Sequence, residues 1–186
     1  MMVHTVCSNT KDYYVLLCIF NVMKEEMKNK LLAELLKNSK RSDRQLARVL
    51  DSSQPTITRA RQRIEREGLV RSYTIVPDWR KLGFEIMAFT FLKMRPEIRS
   101  EELIGRVKQY AAKFPNAIYV AIGEGLGMTG VVIALHKNYS EYFQQLSLFR
   151  VQWKEYIEDV KSFITVLGEG EIKELSCTYL AQALLS

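Results

Sequence analysis

SDRQLARVLDSSQPTITRARQRIEREG, residues 42–68, decides the reading of this chain. It reads as two short helices joined by a tight turn. Ser42-Asp43-Arg44-Gln45 has the S-x-x-Q form of a capping box, in which two side chains satisfy free N–H groups at a helix start. Leu46, Ala47 and Leu50 then recur at helical spacing and define a buried side. Asp51-Ser52-Ser53 breaks the helix, because Asp and Ser favour turns and caps. Ser53 is placed to cap the second helix, and Pro55 sits in its first turn, where a missing N–H costs nothing. Gly68 ends it.

On the second helix Ile57, Ala60 and Ile64 fall within about 60° of one another and form the packing face. Thr56, Arg59, Gln62, Arg63 and Arg66 lie on the opposite side, with Gln54 and Thr58 flanking its start. A helix of this kind fits the DNA major groove, and its N-terminal part enters deepest. Base-edge reading is therefore expected of Gln54, Thr56, Thr58 and Arg59, since Gln pairs with adenine and Arg with guanine. Arg63 and Arg66 are placed to meet phosphates, and Gln62 shares their side. Arg61 falls near the apolar side and reads as a stem lying on the core with its charge at the rim. The plainer reading is a solvated helix whose arginines pair with Glu65 and Glu67. The cap, the turn and two matched apolar faces favour double-stranded DNA as partner.

Charge agrees with this placement. The 186 residues carry a formal net charge of +6. Residues 23–81 hold 15 Lys+Arg against 8 Asp+Glu, whereas residues 82–186 hold 11 against 12. The basic excess thus sits with the helix pair, the asymmetry expected when one part of a chain meets nucleic acid. Cys7, Cys18 and Cys177 are too scattered for a disulfide framework or a zinc site, so no metal and no cofactor is expected, and the thiols fit a reducing cytoplasm. The apolar run at residues 13–20 is far shorter than the roughly 20 residues of a membrane helix. It belongs to an extension, residues 1–22, of unassigned role.

The pattern gives a helix-turn-helix domain at 23–69, a connecting strand and linker at 70–83, a second domain at 84–168 and a tail at 169–186. The first domain opens with a helix near residues 24–37, buried through Met27, Leu31, Leu32, Leu35 and Leu36. LVRSYTIVP, residues 69–77, reads as a strand serving as wing and connector. Strands are then expected at 85–94, 117–122, 130–136 and 160–167, and helices at 101–114 and 139–157. This β-α-β, hairpin, β-α-β order is ferredoxin-like, four antiparallel strands with two helices on one face. The fold class is α+β: an N-terminal winged helix-turn-helix joined to a C-terminal ferredoxin-like βαββαβ domain. The strands are apolar at most positions, so the face without helices is expected to be covered by a second copy, making at least a homodimer. The alternative cover is the extension or the tail of the same chain.

Gly125-x-Gly127-x-x-Gly130 matches the dinucleotide fingerprint, but a strand (VVIALH) follows it instead of the helix the pyrophosphate needs. The glycines are read as shaping a hairpin, one that can also border a small-ligand pocket.

SDRQLARVL, SSQPTITRARQRIEREGLVRSYTIVPDWRKLG and the βαββαβ half together resemble the Lrp/AsnC (feast/famine) family of transcriptional regulators over residues 24–168. The resemblance implies a winged helix-turn-helix joined by a strand to a dimer-forming, ligand-sensing domain, assembly of dimers into tetramers or octamers, and an amino-acid effector. Asp51 stands where the family usually has Gly, and Arg61 where it usually has an apolar residue. The hairpin, Gly123 to Gly130, is longer than the family's Gly-Asp-x-Asp segment and lacks its aspartates. The resemblance leaves Glu124, Gly125, Gly127 and Thr129 as the effector-binding candidates.

The functional expectation is a sequence-specific transcription regulator. The alternative is a non-specific architectural DNA-binding protein of the same fold, held by phosphate contacts alone. An enzyme is not expected, for no nucleophile–base pair or metal cluster is visible. Some proteins of this double-domain plan act on tetrapyrroles, as the resemblance has it. His136, the one histidine of the second domain, ends a strand, where a lone His is more often a surface or capped residue.

Overall fold

The computed structural model describes residues 25–95 and 101–185. The extension 1–22, with Cys7 and Cys18, and the expected helix start at Lys24 lie outside the described residues. The described residues divide into two compact units: 25–76 together with 175–185, and 77–95 together with 101–174.

The first unit holds α1 (residues 25–37), α2 (Asp43–Val49) and α3 (Gln54–Arg66). Leu31, Leu35, Leu46, Ala47, Ile57 and Ile64 are buried together, and Met27, Leu32, Leu50, Ala60 and Val70 close around them. Apart from Val70, which follows α3, these are apolar positions that helical periodicity selects; Leu36, expected with them, is only partly buried and stands outside the cluster. A short 3₁₀ turn (Cys177–Tyr179) and α6 (Leu180–Ala183) also group here, the turn capped by the Ser176 side chain.

The expected strand at 69–77 is absent: these residues are irregular, and Arg71 to Val76 are exposed. β-branched and aromatic residues make a strand only where an edge accepts their backbone groups. Among the described residues none pairs with them.

The second unit is a four-stranded antiparallel sheet in the order β2-β3-β1-β4, with β1 at Ile86–Met94, β2 at Ala117–Gly125, β3 at Met128–His136 and β4 at Ile157–Val166. α4 (Glu101–Ala111) joins β1 to β2, and α5 (Tyr139–Trp153) joins β3 to β4. The ferredoxin-like expectation holds. Boundaries move by a few residues: α4 ends at Ala111, β2 runs on to Gly125, β3 starts at Met128, and, where apolar spacing carries the second helix to residue 157, α5 stops at Trp153 and β4 begins at Ile157. Tyr156 and Ile157 are apolar enough to extend a helical stripe; here they line a different cluster, with Leu103 and Trp153.

Side chains alternate across the sheet. Ile86 and Ala88 face the helices and pack with Tyr142, Leu146 and Ile164. Met87 points the other way, with Leu135, Leu167, Trp79, Phe84, Phe89 and Ile133. On that second face the register aligns Tyr119, Ile133, Phe89 and Phe163 in one row across all four strands. Phe163 is 64% and Tyr119 54% exposed, so the row is left largely uncovered.

No described helix is long and apolar enough to cross a membrane. No group of three or more His, Cys, Asp or Glu among the described residues is arranged to hold a metal ion.

Candidate nucleic-acid interface

Two caps set the helix pair. The Ser42 side chain accepts from Gln45 N, and the Gln45 side chain accepts from Ser42 N at 2.8 Å, the full capping box. Ser53 caps α3 by accepting from Thr56 N at 3.3 Å, with Pro55 in the first turn. Between them Asp51 adopts φ +46°, the left-handed conformation that a tight turn requires and that Asp tolerates better than most residues. α3 closes at Gly68, φ +71°, where Leu69 N donates to Ile64 O at 3.0 Å.

With Ile57 and Ile64 fixed in the core, Gln54, Thr56, Arg59, Gln62, Arg63 and Arg66 are exposed on α3. Their availability differs. Arg59 and Arg66 form no ion pair or hydrogen bond with any described residue. Arg63 is held by Glu67, Nε to Oε1 at 2.6 Å, which raises the guanidinium pKa further and lowers that of the carboxyl. Thr56 Oγ1 lies 2.8 Å from Ser53 Oγ. Thr58 is turned inward: its hydroxyl donates to Asp43 Oδ2 at 2.7 Å, and it lies 3.1 Å from the Gln54 carbonyl. The structure thus brings six of the seven sequence-selected residues onto the exposed side and engages the seventh within the unit.

Arg61 is likewise committed. Its Nε is 2.9 Å from Asp43 Oδ1, its guanidinium donates to the Arg41 carbonyl at 3.0 Å, and its Cζ sits 5.9 Å from the Tyr73 ring centroid. Tyr73 in turn donates to Glu65 Oε1 at 2.7 Å. The expected rim charge is therefore a tie between α2, α3 and the segment after α3. Arg41 and Lys37 both pair with Glu34, Lys37 at 2.5 Å. Glu34 is only 8% exposed, and the Lys37 hydrogen bond, helped by Arg41, holds its carboxyl below the usual range against the opposing effect of burial. Sequence reading missed Asp43, Glu34 and Tyr73. Asp43 at the first turn of α2 signals only favourable placement in the helix dipole. Its two partners, 15 and 18 positions on, meet it only once the helices cross.

The effector candidates lie in the other unit. Gly125 pairs with Met128, and Leu126 and Gly127 form the two-residue turn with φ +56° and +70°, as a type I′ hairpin needs. Thr129 Oγ1 accepts from Met94 N at 2.8 Å and donates to the Leu92 carbonyl at 3.3 Å. Glu124 and Thr129 line a common cavity, while Gly125 and Gly127 do not. His136 is buried, not superficial, and faces the Asn116 amide, Nδ1 to Nδ2, at 3.3 Å.

No family model matches the chain. An uncharacterised HTH-type transcriptional regulator of Pyrococcus abyssi is 27% identical over 106 residues, 56% of this chain and 66% of that protein. The chain thus spans just under two thirds of that relative's length. The HTH-type transcriptional regulator LrpA of the same organism is 24% identical over 102 residues, covering 54% of this chain and 70% of LrpA. An AsnC family transcriptional regulator from Agrobacterium tumefaciens superposes with a TM-score of 0.68 at 20% identity, over 82% of this chain and 97% of that one. A Neisseria meningitidis transcriptional regulator, solved as an L-Met complex, gives 0.66 at 16% identity over 82% and 96%. These sequence relatives are HTH-type transcriptional regulators, and the fold is that of the solved AsnC family regulator.

Proposed function

We propose that this chain is a sequence-specific transcription regulator that binds double-stranded DNA as a homodimer through α3. One observation carries the reading. α3 buries Ile57 and Ile64 while presenting Gln54, Thr56, Arg59 and Arg66 on its open side, with both arginines unpaired among the described residues. Arg59, one turn into the helix, is assigned to a base edge, and Arg66, at its end, to a phosphate. Arg63 can exchange Glu67 for a phosphate, and Gln62 supports the same side. Thr58 receives a positioning role instead of direct base contact, because Asp43 holds its hydroxyl.

The dimer is assigned to the row Tyr119, Ile133, Phe89 and Phe163, whose burial by a second copy removes apolar surface from water. Two recognition helices related by a twofold axis would read half-sites one helical turn or a multiple apart. An effector at the β2–β3 hairpin, through Glu124, Gly125, Gly127 and Thr129, completes the proposal. The hairpin offers it backbone and two polar side chains but no cation for a carboxylate.

Binding isotherms of Arg59→Ala and Arg66→Ala on selected and random duplexes test the division of roles. Arg59→Ala is expected to cost about 1–3 kcal/mol on the selected site and to relax base choice there. Arg66→Ala is expected to weaken all duplexes alike and flatten the salt slope by about one ion. Identical behaviour of the two variants on both duplexes would remove the assignment.

A further inference from the structure

A cavity of about 440 Å³ lies in the second unit between the helix-facing side of the sheet and helices α4 and α5. Its volume is within the range of small-molecule sites, roughly 300–1,000 Å³. Leu92, Val107, Val132 and Leu146 contribute aliphatic wall. Tyr110, Phe149 and Trp153 also line it as a contiguous aromatic group, with centroid separations of 5.8, 5.2 and 6.2 Å. A flat ring or a branched chain finds dispersion contacts on such walls.

The few polar groups are specific in kind. His136 lines the cavity and is 4% exposed. Asn116 Nδ2 faces its Nδ1 at 3.3 Å, and burial lowers the ring's pKa, so the neutral ring carries its proton on Nε2. No hydrogen-bond partner of Nε2 occurs among the described residues, and Trp153 Nε1, which also lines the cavity, is buried without one, an unusual state for a buried donor. Gln145, also lining, accepts at Oε1 from Asn116 Nδ2 at 3.1 Å, which leaves its own amide N–H₂ for other partners. Among the described residues no Lys or Arg lines the cavity, and Glu124 is its one carboxylate. A carboxylate inside would lose its water without gaining a cation, a cost that a neutral molecule does not bear.

We propose that this cavity binds a neutral, largely apolar small molecule carrying a carbonyl-type acceptor, which His136 and Gln145 hold by hydrogen bonds. The site shares Glu124 and Thr129 with the hairpin effector assignment but differs from it in chemistry, since the cavity walls offer a zwitterionic amino acid no cation. It does not rest on the DNA reading, because occupancy is measured directly.

The test uses the full chain and two fluorescent probes of related skeleton. N-phenyl-1-naphthylamine is neutral, and 8-anilinonaphthalene-1-sulfonate adds an anionic group. Saturable one-to-one binding of the neutral probe, at least tenfold tighter than the anionic one, is expected. Val120→Phe places bulk at the half-exposed margin of the cavity and should weaken the neutral probe at least tenfold with the circular dichroism spectrum unchanged. Ala111→Phe does the same from α4 should the first variant misfold. Leu148→Ser, at an exposed position of α5 outside the cavity lining, should leave the affinity within twofold. Displacement by benzophenone and by diphenylmethane then reads the acceptor contact. His136→Phe should lower the benzophenone-to-diphenylmethane affinity ratio about fivefold. Loss of probe binding through Leu148→Ser, equal affinity for both probes, or no saturable binding would each overturn the proposal. An unchanged ratio in His136→Phe would overturn the acceptor assignment.

Discussion

Replacing Asp43 by Ala should loosen α3 without altering any side chain proposed to meet DNA. Asp43 holds Thr58 at 2.7 Å and Arg61 at 2.9 Å, one oxygen to each. A hydrogen bond to a charged acceptor contributes about 1.5–3 kcal/mol, and this one is only partly buried, so the lower part of that range applies. The Arg61 pair, with side chains 21% and 23% exposed, adds up to about 1 kcal/mol. The sum is about 2–3 kcal/mol on the opening of α3, which corresponds to roughly 30- to 150-fold faster amide exchange. Hydrogen exchange resolved to peptides within α3 measures this, while peptides of the sheet serve as control. Asp43→Asn keeps an acceptor for Thr58 and should show about half the effect. A cycle of Asp43→Ala with Thr58→Val should be non-additive by about 1 kcal/mol. Exchange within threefold of wild type, or strictly additive effects, would refute the view that Asp43 aims the recognition helix.

Glu34 makes the first unit sensitive to acid. Its folded-state carboxyl is lowered, so its contribution is present above the ordinary carboxylate range and is lost as pH falls through the lowered value. Thermal unfolding followed by circular dichroism should show a midpoint falling between about pH 5 and pH 3. Glu34→Gln should have a lower midpoint at neutral pH and a shallower fall; an equally steep fall would assign the acid effect to other groups. Phe163→Asp places a charge in the uncovered row at an exposed position and should convert a dimer to a monomer in sedimentation velocity. An unchanged mass would move the interface elsewhere. Gly68→Ala forces a side chain into φ +71° with no compensating contact, so it should cost about 1–2 kcal/mol, read as faster exchange at the end of α3. Unchanged exchange there would show that the turn relaxes freely.

The parts of the fold legible in sequence are those fixed by neighbours along the chain. Ser42 with Gln45, Ser53 with Pro55, and the turn at Gly68 each need only a few residues, and each forms as read. The βαββαβ order was legible for the same reason, since strand and helix periods differ. Residues 69–77 misled because strand propensity does not supply a partner edge. The end of α5 misled because Tyr156 and Ile157 continue an apolar stripe into a strand that buries them differently. At the candidate interface the outward side of α3 follows from helical geometry. The roles of Asp43, Thr58 and Arg61 do not, because they arise where two helices cross. The cavity was invisible in sequence: it is space between packed elements, and no residue type announces it. His136 looked superficial because a strand end says nothing about the helix that covers it.

The most direct measurement selects duplexes from a random library with the full-length chain, then compares a selected site with its scrambled sequence by fluorescence anisotropy at one fixed salt concentration. The account predicts at least about 100-fold tighter binding to the selected site and half-sites one helical turn or a multiple apart. Equal affinity for selected and scrambled duplexes, with the same salt dependence, would contradict it and leave phosphate attraction as the whole of the interaction.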